Sequence, residues 1–90
     1  VGDAGRAYAI ARRAGEQSQR LLAWEQAAVH LEQALDALDH QESVDPRRRI
    51  EVLLALGASQ RLSGNRERRI AAYQQAIAIA RAIGDAALQA

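Results

Sequence analysis

The sequence predicts an all-α protein, and three observations carry that prediction. Ala, Leu, Arg, Glu and Gln dominate the 90 residues, whereas there is one Pro, no Phe and few β-branched residues, a composition of strong helix formers. Apolar residues recur at three- and four-residue steps, the period of an amphipathic helix. Turn and cap residues cut the chain at intervals that suit helices of three to five turns.

The elements follow in order. Asp3 is an N-cap for a first helix from about Ala4 to Gln19. A tight turn at Arg20–Leu22, without Gly or Pro, leads to a second helix from about Ala23 to Asp39. There Ala27, Leu31, Ala34, Leu35 and Leu38 form the apolar stripe, with Gln26, His30, Gln33 and Asp36 between them. A polar connection over 40–44 precedes Asp45-Pro46, a capping carboxylate followed by Pro at the first helical position, where its missing N–H costs nothing. The third helix runs to about Ser63 and Gly64 ends it. Asn65 caps a fourth, from about Arg66 to Ile83, whose stripe is Ile70, Tyr73, Ala76, Ile77 and Ala80. Gly84-Asp85 repeats the stop-and-restart signal, so 86–90 reads as the first turn of a fifth helix. Short connections make neighbouring helices antiparallel.

The expected organisation is one domain over 1–90: a hairpin at about 4–39, a second at about 46–83 and the stub at 86–90. The two hairpins match at an offset of 42 residues. It carries Gly15 onto Gly57, Leu31 onto Tyr73, Gln33 onto Gln75, Ala34 onto Ala76 and Leu35 onto Ile77. Internal repetition of this kind points to a solenoid, whose units bury their faces against neighbours.

These residues resemble the tetratricopeptide family, a 34-residue helix–turn–helix repeat. The small residue late in its first helix corresponds to Gly15 and Gly57, and its turn pair to Gly64-Asn65. The small, large and small positions of its second helix correspond to Ala27, Leu31 and Ala34, with Tyr73 and Ala76 matching the last two in the second unit. The departures are Leu22-Ala23 at the first turn, Arg69 at a packing position, and a spacing of 42 with the excess between His40 and Arg48. Over 22–35, 45–49, 53–57 and 61–65 the chain also resembles the repeat region of LuxR-type regulators and related bacterial signalling ATPases. That resemblance implies an α-solenoid segment that binds a partner, senses an inducer or restrains an ATPase. It also implies a bacterial, cytoplasmic regulator of transcription or signalling. A chain that opens on Val1 and stops one turn into a helix is expected to be a slice of a longer solenoid.

Composition limits the function classes. Twelve basic residues against eleven acidic ones give a net charge of +1, which argues for neither nucleic acid nor an anionic membrane. There is no Cys and no 20-residue apolar run, so thiolate metal sites and membrane spans are not expected. His30 and His40 lack metal-ligand or catalytic spacing and read as solvated, no cofactor is expected, and the chain is expected not to be an enzyme. Trp24 and Tyr73 read as core aromatics. Arg47–Arg49 and Arg66, Arg68 and Arg69 read as solvated charge with interdomain ion pairs.

In a tetratricopeptide-like array the first helix of each hairpin lines a concave face. The resemblance therefore implies partner contacts at Arg12, Glu16 and Gln19 and at Glu51, Leu54, Ala58 and Arg61. The family's carboxylate-clamp Asn and Lys are absent, Glu16 standing in place of the Asn, so recognition of an acidic C-terminal tail is not expected. The expected partners are a protein, adjacent repeats or a second copy through an open C-terminal end where Ile79, Ile83 and Leu88 lie. A small-molecule inducer held by a larger repeat array is the alternative.

Overall fold

The structure is a computed structural model that describes residues 2–89, and the side chains of residues 3–84. It is all-helical: α1 spans Gly2–Arg20, α2 Trp24–Asp39, α3 Pro46–Leu62 and α4 Arg66–Gln89. No strand occurs among the described residues. The extensive helix contacts join sequence neighbours: α1 with α2, α2 with α3, and α3 with α4. Thinner side-chain links tie α1 to α3 and α2 to α4. Gln19 near the end of α1 reaches Ala55 and Ser59, Arg48 lies over Tyr8, and Arg68 reaches Glu32. The first three fix α1 and α3 as parallel neighbours.

Both turns inside the hairpins share one hydrogen-bond pattern. Ala23 N–H donates to Ser18 O at 2.8 Å and Leu22 N–H to Gln19 O at 3.0 Å. At the second turn Asn65 N–H donates to Gln60 O at 2.8 Å and Gly64 N–H to Arg61 O at 3.3 Å. This pair of bonds is the Schellman closure of a helix C-terminus, which needs a left-handed residue. Gly64 supplies it with φ of 85°. Leu22 supplies it with φ of 60°, the one non-glycine residue at positive φ among those described. The missing turn glycine thus leaves the turn geometry intact and shifts its cost onto the Leu22 backbone, where a Cβ crowds the carbonyl.

The cap at Asp45 is as the sequence predicts: its Oδ1 accepts from Arg47 N–H at 3.0 Å, with Pro46 opening the helix. Asn65 Oδ1 accepts from Arg68 N–H at 3.3 Å. Two other expectations need correction. Asp3 lies in the first turn of α1 instead of preceding it, where its charge still favours the helix N-terminus. The stub at 86–90 is no separate helix, since α4 passes through Gly84 and Asp85 to Gln89; Ala90 lies outside the described residues. Gly84 keeps helical backbone. A helical glycine costs only about 1 kcal/mol against Ala, and the alanines on both sides of it carry the helix on.

The core is one cluster of Ala11, Leu31, Ala34, Leu38, Val52, Leu53, Leu56, Ala72 and Ala76. Two close approaches shape it. A Cβ on Gly15 would lie 3.0 Å from Leu31 Cγ and Cδ2, and one on Gly57 would lie 2.5 Å from Tyr73 Cε1. Each glycine lets a large side chain of the following helix press against bare backbone. Ala27, Leu31, Ala34 and Ala76 are buried as expected, and Arg69 is half-buried. Trp24 falls short of the core. It is half-buried at the turn end of α2, beside Leu22 and Leu62.

Two stability measurements check this account. Gly57→Leu should destabilise the domain by about 1–3 kcal/mol in denaturant unfolding, the range of overpacking; an unchanged midpoint contradicts the close approach to Tyr73. Leu22→Gly should raise stability by roughly 1 kcal/mol by relieving the left-handed strain, while Gly64→Ala lowers it by a similar amount. Effects of the same sign at the two positions contradict a shared turn geometry.

Candidate functional site

The surface shared by α1 and α3 holds the residues expected to meet a partner, and the structure divides them into two groups. Glu51, Leu54 and Arg61 lie on one stripe of α3 and are exposed. Leu54 keeps 49% of its surface open, which is large for a leucine in a packed helix pair. Ala58, between them, is half-buried. On α1, Arg12 Nε donates to Glu16 Oε1 at 3.1 Å, and Arg12 Nη1 reaches the Tyr8 hydroxyl at 3.4 Å. Arg20 approaches the other Glu16 oxygen at 4.0 Å. These charges already hold one another, so they shape the rim of the surface more than they reach across it.

Gln19 belongs to the second group. Its Nε2 donates to Ala55 O at 3.3 Å and Ser59 Oγ at 3.0 Å, and Ser59 Oγ donates onward to Ala55 O at 3.0 Å. Ser59 is fully buried, and a buried hydroxyl must be hydrogen-bonded to be tolerated. Gln19 is therefore a strut between α1 and α3 rather than a residue free to meet a partner.

Three of the six clustered arginines, Arg48, Arg49 and Arg68, are similarly occupied. Arg48 stacks over the Tyr8 ring with 5.3 Å from its guanidinium carbon to the centroid, a cation–π contact between α3 and α1. Arg49 Nη1 pairs with Asp39 at 2.6 Å, and Arg68 Nη1 with Glu32 at 3.4 Å. Glu32 Oε1 also accepts from Gln60 Nε2 at 3.4 Å. These contacts link helices within the chain.

A second concavity lies between α1 and α2, about 680 Å³ in volume. Ala4, Ala7, Ile10, Ala11, Ala14 and Ala37 make its apolar floor, and Asp3, His30, Gln33, Asp36 and His40 its rim. The sequence placed His30 and His40 apart, one on a polar helix face and one in a loop. Their spacing with Gln33 and Ala37, at three- and four-residue steps, is the signal that puts them along one edge. His30 Nδ1 and Gln33 Oε1 are 3.2 Å apart. His40 Nδ1–H donates to Asp36 O at 2.8 Å, closing the last turn of α2. That bond, with the Asp36 and Asp39 charges, raises the His40 pKa above its ordinary 6.5.

The large apolar residues left most open are Leu21, Leu22, Ile10, Val29 and Ile77. Of the residues expected at an open C-terminal end, Ile79 packs partly on the core and Ile83 is half-buried. The Leu88 side chain lies outside the described residues. Among the described residues no group of three or more His, Cys, Asp or Glu stands ready to hold a metal ion, and no helix is long and apolar enough to cross a membrane.

No protein-family model matches this chain, and no curated protein or solved structure is significantly similar to it.

His40 provides a test by pH. An NMR titration should give a His40 midpoint above 6.5. Because the folded value is the raised one, the stabilisation is complete below the unfolded value and fades as pH rises through the folded value. His40→Ala should remove that pH-dependent increment; a midpoint at or below 6.5 contradicts the contact with Asp36.

Proposed function

We propose that this chain is a non-catalytic interaction and signal-coupling module of a larger bacterial regulatory protein, built from two tetratricopeptide-like hairpins and working in the cytoplasm. One observation carries the reading. The Gly15–Leu31 and Gly57–Tyr73 approaches and the two Schellman turns stand 42 residues apart, so the same construction occurs twice at one spacing. Units of that kind stack into extended surfaces that bind through their exposed side chains. The chain's resemblance to the repeat region of LuxR-type regulators supports the same class. The partner surface is the exposed α3 stripe of Glu51, Leu54 and Arg61, rimmed by Arg12 and Glu16, with adjacent repeats or a protein domain as its partner.

The α1–α2 groove favours a second reading, an inducer-sensing segment. Its volume falls within the usual range of small-molecule sites, and its apolar floor with a polar rim is the usual lining. Only two helices wall it, so further repeats would complete it. A small molecule that raises the melting temperature of this chain alone, and loses that effect on Ile10→Asp, selects this reading.

The interaction reading is tested on the polypeptide that contains this chain. With the remaining segments of that polypeptide supplied in trans, Leu54→Asp should weaken their binding about tenfold, the effect of one interface anchor worth 1–2 kcal/mol. Circular dichroism and thermal unfolding of the isolated chain should stay unchanged, since Leu54 is half-open to solvent. Undiminished binding contradicts the assignment of this stripe.

A further inference from the structure

The edge formed by the two hairpin turns carries residues that the fold does not use. Leu21 and Leu22 are 71% and 69% exposed, and Leu62 beside the other turn is 48% exposed. Leu22 also holds the left-handed backbone, with φ of 60°, that Gly64 adopts in the second hairpin. A leucine strains that position where a glycine does not, and an exposed leucine gains no packing there. Strain kept at an exposed apolar residue points to a use outside the fold. The two tips lie side by side, since Leu22, Trp24 and Leu62 line one shallow crevice. Both sit at helix ends inside the hairpins, so a helix packed alongside α1 or α4 would run past them and leave the tips uncovered.

We infer that this edge docks on an anionic lipid surface, with Leu21, Leu22 and Leu62 entering the apolar layer and the arginines behind them meeting the headgroups. The inference does not rest on the repeat reading, and the surface shares only Arg61 with the α3 stripe.

Charge complementarity selects this occupant. Arg20, Arg61 and Arg66 are exposed next to the leucines. Arg61 and Arg66 stand in no ion pair among the described residues. Arg20 lies 4.0 Å from one oxygen of Glu16, whose other oxygen Arg12 holds at 3.1 Å. Over the four helix ends at this edge, five arginines face two acids, Glu25 and Glu67. Arg68 is tied to Glu32, and a positive excess remains without it. The whole-chain charge of +1 conceals this local excess. The apolar residues are tips rather than the floor of a groove, and cations surround them. That order, apolar matter inside and negative charge outside, is what a bilayer surface offers. Trp24 is half-buried beside the tips, and an indole, apolar in body with one N–H, favours the membrane–water boundary.

Trp24 is the only tryptophan, so its emission reports the contact. With vesicles of equimolar phosphatidylserine and phosphatidylcholine, the 90-residue chain should co-sediment and its emission should shift to the blue. Vesicles of phosphatidylcholine alone should bind it about tenfold more weakly. Leu22→Gly separates docking from folding: it should raise thermal stability yet weaken partitioning about tenfold, the transfer of one leucine. Arg66→Gln should weaken partitioning about fivefold on the mixed vesicles and leave it unchanged on phosphatidylcholine. Circular dichroism should be unchanged in both variants. A wild type that stays in the supernatant with both vesicles overturns the inference and leaves the edge to a protein partner. Equal binding to the two vesicles overturns it as well, as does a Leu22→Gly chain that partitions like the wild type. None of these outcomes bears on the Leu54 experiment.

Discussion

The closeness of each helical hairpin depends on a side chain that is absent. Gly57 lets the Tyr73 ring rest on the α3 backbone, and Gly15 lets Leu31 rest on α1. Helix axes pack at distances set by the side chains between them, so a glycine opposite a large residue brings two helices together while filling the space. In the second hairpin that approach accompanies burial of Val52, Leu53, Leu56, Ala72 and Ala76 in one cluster. A chain of 90 residues has little core to spare, and two such contacts are a large part of what fixes its shape.

The turns hold the other end of each hairpin. Both use the same pair of C-terminal hydrogen bonds, yet one spends a glycine on the left-handed residue and the other a leucine. Leu22 and its neighbour Leu21 are exposed there, beside the half-buried Trp24 and the exposed Leu62. The turn end of the molecule is consequently more apolar than a hairpin loop needs to be, because the strained residue is also a hydrophobic one.

The helical periodicity and the caps at Asp45 and Asn65 were legible because they rest on local chemistry. So were the close-packed Gly15 and Gly57, since the 42-residue offset aligns them with each other and aligns the large residues that face them, Leu31 and Tyr73. What was not legible depends on geometry between helices or on competition between local signals. Gly84-Asp85 has the composition of a stop, but a stop requires positive φ, and the surrounding alanines keep the helix going. The turn at Arg20–Leu22 was read from the sequence, but its left-handed residue was not, because Leu22 carries no turn signal of its own. Gln19 reads as a free polar residue until Ser59 and Ala55 are brought beneath it by the parallel packing of α1 and α3. Arg48 over Tyr8 is of the same kind: a residue that local pattern assigns to solvent is taken up by a neighbouring helix. His30 and His40 share a groove edge that helical spacing permits but does not single out.

Whether one construction is used twice is settled most directly by a double-mutant cycle at Gly57 and Tyr73, repeated at Gly15 and Leu31. Gly57→Ala, Tyr73→Ala and the double variant would be compared by denaturant unfolding, as would the corresponding set in the first hairpin. The account predicts that adding the methyl is costly only while the large residue faces it. The coupling should be about 1 kcal/mol or more at Gly57 and smaller, with the same sign, at Gly15. Additive effects at both pairs would contradict the claim that these glycines set the helix approach.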